Sequence, residues 1–168
     1  MKVSLKLLKT SDISKNYIEW LNNREVTKYT DQSFYKHTYK SISNYVSKII
    51  ISKNDYLYGI YILDKKKSYH VGNIKIGNIN KIHKNAVISY LIGEQKYWGK
   101  GIATKAVKQI IQVAKKRKLR KLIAGSNTKN VASIKVLKNC GFKKEGLQTS
   151  YGKYKNTRFD NYIFGLSI

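Results

Sequence analysis

Two glycines, Gly99 and Gly101, lie in YWGKGIATKA at 97–106, directly before a run with helical periodicity. Glycine there costs backbone entropy and packs nothing, so either the chain turns sharply or a ligand must approach the main chain. A glycine-rich turn that opens a helix leaves the first-turn amides unpaired at the positive end of the helix dipole, which suits an anion. A pyrophosphate accepting those amides would come within about 3 Å, where a Cβ would obstruct it. Neither the P-loop spacing nor the dinucleotide fingerprint is present. On its own, the segment leaves a bare turn and an anion cradle both open.

The remaining chemistry-bearing residues narrow the classes. Cys140 is the one cysteine, which argues against a disulfide-stapled scaffold and a structural zinc site. Its expected role is packing; no metal is implied. The formal charge is +25, from 34 Lys and Arg against 9 Asp and Glu. The basic residues are spread along the chain, with short clusters at Lys65–Lys67 and in KKRKLRK at 115–121. Abundant Lys, Ile, Asn and Tyr beside no proline is the composition that an AT-rich genome writes. The charge therefore predicts an acidic ligand without choosing among nucleic acid, a nucleotide-bearing cofactor and a nucleotide-linked sugar. No run of about 18 uncharged apolar residues occurs, and MKVSLKLLKTSD is too broken by lysine for a signal peptide. A soluble cytoplasmic protein without a membrane partner is expected. Oligomeric state is not legible from composition, and a homodimer stays open.

These residues need elements to position them. Residues 3–8 alternate as a strand, and Thr10, Ser11 and Asp12 offer caps for a helix carrying Ile13, Tyr17, Ile18 and Leu21. A second helix is expected over 39–52. Strands follow at 56–63, 69–79 and 86–93, the first two joined by a lysine turn. From Ile102, the residues Ala103, Val107, Ile110, Ile111 and Ala114 share one helical face. A strand at 120–126, a helix over 130–139 stopped by Gly141, and strands at 142–151 and 157–167 around GKYKN complete the chain. The order β-α-α-β-β-β-α-β-α-β-β, without linker or repeat, reads as an α/β fold: one domain over 1–168, with helices packed on a mixed sheet.

The segment AVISYLIGEQKYWGKGIATKA, followed by NVASIKVLKNCGF, resembles the GNAT superfamily of acetyl-CoA-dependent N-acetyltransferases. Within it, the chain looks most like the branch of ribosomal-protein, polyamine and sugar or flagellin-modification acetyltransferases. The superfamily motif [QR]-x-x-G-x-[GA] aligns with Trp98 to Ala103, with Trp98 departing at the first position. The resemblance implies that amides near Gly99, Gly101, Ala103 and Thr104 hold the pyrophosphate of acetyl-CoA. It also implies that pantetheine adds to the strand edge at Leu91, Ile92 and Gly93, and that Asn130 hydrogen-bonds the cofactor.

Aminolysis of a thioester needs a neutral amine, tolerance of an oxyanion and a proton for the thiolate. The glutamate base of several relatives aligns with Val87, and their tyrosine acid aligns with Leu137; neither residue can serve. By resemblance Ser133 is the substitute acid. His83, in KIHKN, is the best-placed group titrating near neutral pH and the candidate base, with Glu94, Glu25, Asp31 and Asp160 as acidic alternatives. His37 and Tyr39 lie in the region that shapes acceptor pockets in relatives, and Asp160 matches an aspartate of this branch. A lysine-like amine is neutral in roughly one molecule in 2500 at pH 7, a deficit of about 4.6 kcal/mol, against about 1.4 for an α-amine. A missing strong base favours the weaker amine. Spermidine would be repelled by a +25 surface, so a nucleotide-linked amino sugar ranks first as acceptor, then a protein N-terminus. The rival from another class is a non-catalytic basic domain that binds nucleic acid.

Overall fold

The computed structural model describes residues 1–64, 67–154 and 156–168. The lysine turn expected at Lys65–Lys67 therefore falls, at Lys65 and Lys66, outside the described residues, as does Lys155 of GKYKN. Seven strands form one sheet in the order β1-β2-β3-β4-β5-β7-β6. They are β1 (Lys2–Leu7), β2 (Tyr56–Asp64), β3 (Lys67–Asn80), β4 (Asn85–Ile92), β5 (Lys121–Asn127), β6 (Lys143–Tyr154) and β7 (Thr157–Ser167). All neighbours pair antiparallel except β4 and β5, which are parallel.

Alternation along the strands feeds two cores, one on each face. On one face α4 (Ile102–Lys116) buries Ile102, Ala106, Val107, Ile110, Ile111 and Ala114 against Ile60, Ile74, Ile88 and Leu122. Ala103 is only half-buried: the apolar stripe is turned slightly from the expected one, and Ile102 and Ala106 carry the packing. Helix α5 (Val131–Asn139) adds Leu137 to this core. It ends as expected at Gly141, which takes φ +87° while the Gly141 and Phe142 amides bond back to Lys138 and Leu137.

On the other face lie α1 (Lys15–Asn22), the short α2 (Arg24–Thr27) and α3 (Tyr39–Ile51). Tyr17, Trp20, Leu21, Ile42, Val46 and Ile49 pack there with Leu57. The first helix does not start at Thr10–Asp12, which forms a single 3-10 turn. Ser14 caps it instead, accepting the Tyr17 amide at 3.2 Å, because the Asp12 carboxylate is already taken by the Lys9 amide.

Candidate active site

The parallel pair β4–β5 holds for only three registers, Asn85–Lys121, Ala86–Leu122 and Val87–Ile123. Beyond Val87 the strands diverge while β4 stays paired to β3 and β5 to β7. The Gly93 amide bonds to the Val71 carbonyl at 2.9 Å. By antiparallel alternation the backbone of Leu91 also faces β3, and that of Ile88, Tyr90 and Ile92 faces the gap. The Ile92 carbonyl there accepts the Trp98 indole at 2.8 Å. That bond ties the glycine turn to the end of β4 and gives the tryptophan in the motif's first position a structural duty.

Past Trp98, Gly99 and Gly101 adopt φ of +73° and +74°. A Cβ built on either would meet nothing within 4 Å. The turn itself thus requires glycine, and the space in front of it is open. Gly101 caps α4 by accepting the Lys105 amide at 3.1 Å. Among the described residues, the amides of Gly99, Gly101, Ile102, Ala103 and Thr104 donate to no protein acceptor. Unclaimed donors at the head of a 15-residue helix, beside a gap in the sheet, fit a diphosphate.

Across the gap, Asn130 caps α5 through its side-chain oxygen, which accepts the Ser133 amide at 3.1 Å. The Ser133 hydroxyl lies 2.9 Å from that of Tyr90, which also reaches the Ser133 carbonyl at 3.2 Å. Burial pushes the Tyr90 phenol up to about 12, against the opposing bond with Ser133. Leu137 is fully buried in the core, so its position on α5 offers no group to the gap. Tyr90 supplies a phenol there from β4 instead. Its sequence signal was the alternation of AVISYLI, which puts Tyr90 on the inward face with Ala86 and Ile88, where a tyrosine hydroxyl needs a partner. Cys140 is half-buried and donates to the Thr104 carbonyl at 3.6 Å. Burial raises its thiol pKa, so it packs α5 onto α4.

On the α1–α3 side, a cavity of about 460 Å³ reaches the same stretch of β4 through Ser89, Tyr90 and Leu91. Its ionisable walls are Lys36, His37 and Lys75, with tyrosines 17, 35, 45 and 90; among the described residues no carboxylate lines it. Lys75 is paired with Asp55 at 2.9 Å. The His37 Nε2 lies 3.0 Å from the Gln32 carbonyl, which can only accept. The ring therefore presents Nδ1 as its basic nitrogen.

A family model described as an acetyltransferase (GNAT) domain matches residues 2–143. The chain belongs to the GNAT acetyltransferase family. It is 33% identical over 106 residues to an uncharacterized N-acetyltransferase, p20, of Bacillus licheniformis; the match covers 62% of this chain and 59% of that one. The fold is also that of spermidine N-acetyltransferase from Vibrio cholerae, solved with CoA and spermine, with TM-score 0.87 at 19% identity over 98% of this chain and 95% of that one. A ribosomal-protein-S5-alanine acetyltransferase from Vibrio fischeri superposes with TM-score 0.84 at 21% identity, covering 98% and 92%.

In this GNAT chain the expected site residues divide into two groups. The structure gathers Gly99, Gly101, Ala103, Thr104, Asn130 and Ser133 around the gap, and puts His37 in the cavity wall. Gly93 has a packing reason: a Cβ on it would stand 2.0 Å from the Trp20 ring. Tyr39 is exposed at the start of α3 and is not a wall of the cavity. Asp160 accepts the Ser150 amide at 2.8 Å, pinning an irregular stretch of the β6–β7 pair. His83 is exposed in the turn before β4, at the paired end. A strand rises roughly 3.3 Å per residue, so even Asn85 is about 17 Å from Tyr90. The structure does not bring His83 to the gap. Glu94 is engaged too, accepting the Trp20 indole at 3.0 Å. No helix among the described residues is long and apolar enough to cross a membrane.

Proposed function

We propose that the chain transfers an acetyl group from acetyl-CoA to a primary amine on a small acceptor that is neutral or anionic away from that amine. The observation that carries the reading is the set of amides of Gly99, Gly101, Ile102, Ala103 and Thr104, which among the described residues donate to no protein acceptor and stand beside the β4–β5 gap at a turn with open space in front of its glycines. These amides would hold the pyrophosphate. Free backbone groups at Ile88, Tyr90 and the Ile92 amide would pair the pantetheine arm, and the Asn130 side-chain amide is free to donate. Acetyl-CoA, when bound, supplies the thioester carbonyl and the thiol leaving group.

The chain's own residues then manage protons. Ser133 Oγ, held by Tyr90, is the donor for the departing sulfur. His37 Nδ1, in the cavity wall, is the group that takes the acceptor's ammonium proton, in place of His83. No carboxylate is available for a polyamine's second and third charges, and Lys36 opposes them. An amine on a nucleotide-linked sugar fits better: its phosphates match Lys36, and its amine is less basic than that of a lysine. A protein N-terminus is the second reading, supported by its α-amine near pKa 8, which needs little help from a base.

A thiol-release assay against amino-sugar nucleotides, peptide N-termini and spermidine tests both parts. Turnover greatest with an amino-sugar nucleotide is expected, and spermidine as the best acceptor would refute the charge argument. Titration with acetyl-CoA in the presence of competitor DNA addresses the non-catalytic alternative: binding abolished by DNA would favour a nucleic-acid module.

A further inference from the structure

A second concavity, at the opposite end of the sheet, plays no part in acetyl transfer. It is a cavity of about 270 Å³ where β2 begins, β3 ends, β4 begins and α4 ends. The 15 residues of α4 set its two ends about 22 Å apart. Lys53, Lys81, Lys84, Arg117 and Lys118 are five of its eight lining residues, whereas Lys and Arg make 34 of 168 overall. The general lysine coat does not account for that density.

Among the described residues no carboxylate lines the cavity. Among the described residues none of the five cations makes an ion pair or a side-chain hydrogen bond. Asp55, the nearest acid in sequence, is held by Lys75 at 2.9 Å, the Ser52 hydroxyl at 2.8 Å and the Asn78 amide at 3.3 Å. Five like charges around one hollow repel each other until an anion enters.

Two of the five lysine and arginine side chains stand on backbone that L-residues disfavour. Lys84 has φ +53° and Lys118 φ +59°. Lys118 ends α4 as Gly141 ends α5: its amide bonds to the Lys115 carbonyl at 2.8 Å, and the Leu119 amide to Ala114 at 3.1 Å. Glycine is the ordinary residue at that position, and a side chain there is strained. Next to it, the Arg117 guanidinium carbon lies 3.4 Å from the Tyr56 ring centroid, which fixes the orientation of its donor fork.

We propose that this cavity is a second anion site, distinct from the acetyl-CoA site, that takes a compact polyphosphate group of two or three linked phosphates, free or carried by a nucleotide. Its size excludes a duplex. One oriented guanidinium with four mobile ammonium groups matches linked phosphates better than a single carboxylate.

Calorimetric titration with tripolyphosphate at about 150 mM salt, with saturating CoA present, tests it. One-to-one saturable binding that CoA does not displace is expected. Arg117→Ala should weaken it about tenfold or more. Lys118→Gly should raise Tm by removing the strained side chain and yet weaken binding, a combination that misfolding cannot produce. CoA affinity should stay unchanged in both variants. Lys143→Ala with Lys153→Ala, on exposed β6, removes equal or greater charge and should leave tripolyphosphate binding intact. ATP competing for the site would identify the source as a nucleotide, and tripolyphosphate binding alone would identify a free polyphosphate; either supports the proposal. Displacement by CoA, equal loss in the β6 control, or tight binding only of an oligonucleotide would overturn it.

Discussion

The hydroxyls of Tyr90 on β4 and Ser133 on α5 lie 2.9 Å apart across the widening gap between β4 and β5. Because burial holds the phenol protonated, at about 12, its one hydrogen stays available to the Ser133 hydroxyl or carbonyl, and the contact restricts the serine rotor. Tyr90→Phe removes one hydrogen bond of about 1 kcal/mol, equivalent to roughly a fivefold fall in kcat. KM for acetyl-CoA and the pH profile between about pH 6 and 9 should not change. A shifted profile in steady-state kinetics would mean that Tyr90 itself titrates in the reaction. Ser133→Ala should reduce kcat at least as much.

Gly101 answers to two demands, a left-handed φ and clearance in front of the free amides. Valine there would strain the backbone and confound any binding measurement. Asparagine tolerates the conformation while placing a side chain in the open space. Gly101→Asn should cost under about 1 kcal/mol of stability and weaken acetyl-CoA at least about tenfold. Gly141→Asn is the matched control: it has a left-handed φ too, but a Cβ meeting only Leu166 at 3.6 Å. It should show a similar stability change without the loss of affinity. Urea unfolding and calorimetric titration read the two effects separately.

Periodicity in the sequence carried most of the fold. Strong patterns such as Val107–Ile110–Ile111–Ala114, and stops such as Gly141, state their element directly. The four-residue α2 was invisible because one helical turn has no period. The start of α1 was misplaced because Thr10, Ser11, Asp12 and Ser14 are all good caps, and the choice of Ser14 follows from the Asp12 carboxylate being taken by the Lys9 amide. The glycine turn and its unclaimed amides were legible because they are main chain, and glycine marks them in a linear motif. Tyr90 and Ser133 come from a strand and a helix 43 residues apart, so their meeting is a property of the sheet gap and not of any spacing. His83 lies just before the strand, whereas the β4–β5 gap opens past Val87 toward the strand's other end, a divergence that no local pattern states.

His70 predicts how stability responds to acid. Its Nε2 faces the Gly72 carbonyl at 2.9 Å and Asn73 Oδ1 at 3.0 Å, so it carries the hydrogen. Nδ1 is buried without a partner, and the ring stacks on Tyr61 with centroids 4.9 Å apart. Burial lowers its pKa, against the raising effect of those two bonds and of Asp12. With the folded pKa below the unfolded value near 6.5, the stabilisation is fully present above about pH 6.5 and is lost as pH falls below it. His70→Gln keeps a donor but cannot titrate there. Denaturant midpoints measured from pH 7 to pH 5 should fall more steeply for the native chain than for the variant.

Gly93 and Trp20 set where α1 meets the end of β4. A Cβ on Gly93 would overlap the indole at 2.0 Å, and that indole is further held by the Glu94 carboxylate at 3.0 Å. Trp20 therefore cannot retreat without losing a part-buried hydrogen bond. Gly93→Ala should destabilise by about 2 kcal/mol through overpacking. Trp20→Ala removes the ring atoms that clash, Cγ, Cδ2 and Cε3, but loses the Glu94 bond and the apolar contact, and should cost about 3–5 kcal/mol alone. Combined, the two substitutions should destabilise by at least about 1 kcal/mol less than their sum, because the space left by the indole admits the methyl group. Because α1 walls the cavity of about 460 Å³, proposed above to take the acceptor, through Tyr17 and Leu21, Gly93→Ala should also raise KM for the amine while leaving acetyl-CoA affinity in place. Strict additivity in a double-mutant cycle, or a loss of acetyl-CoA affinity instead, would show that Gly93 is small for the cofactor's sake and not for the tryptophan's.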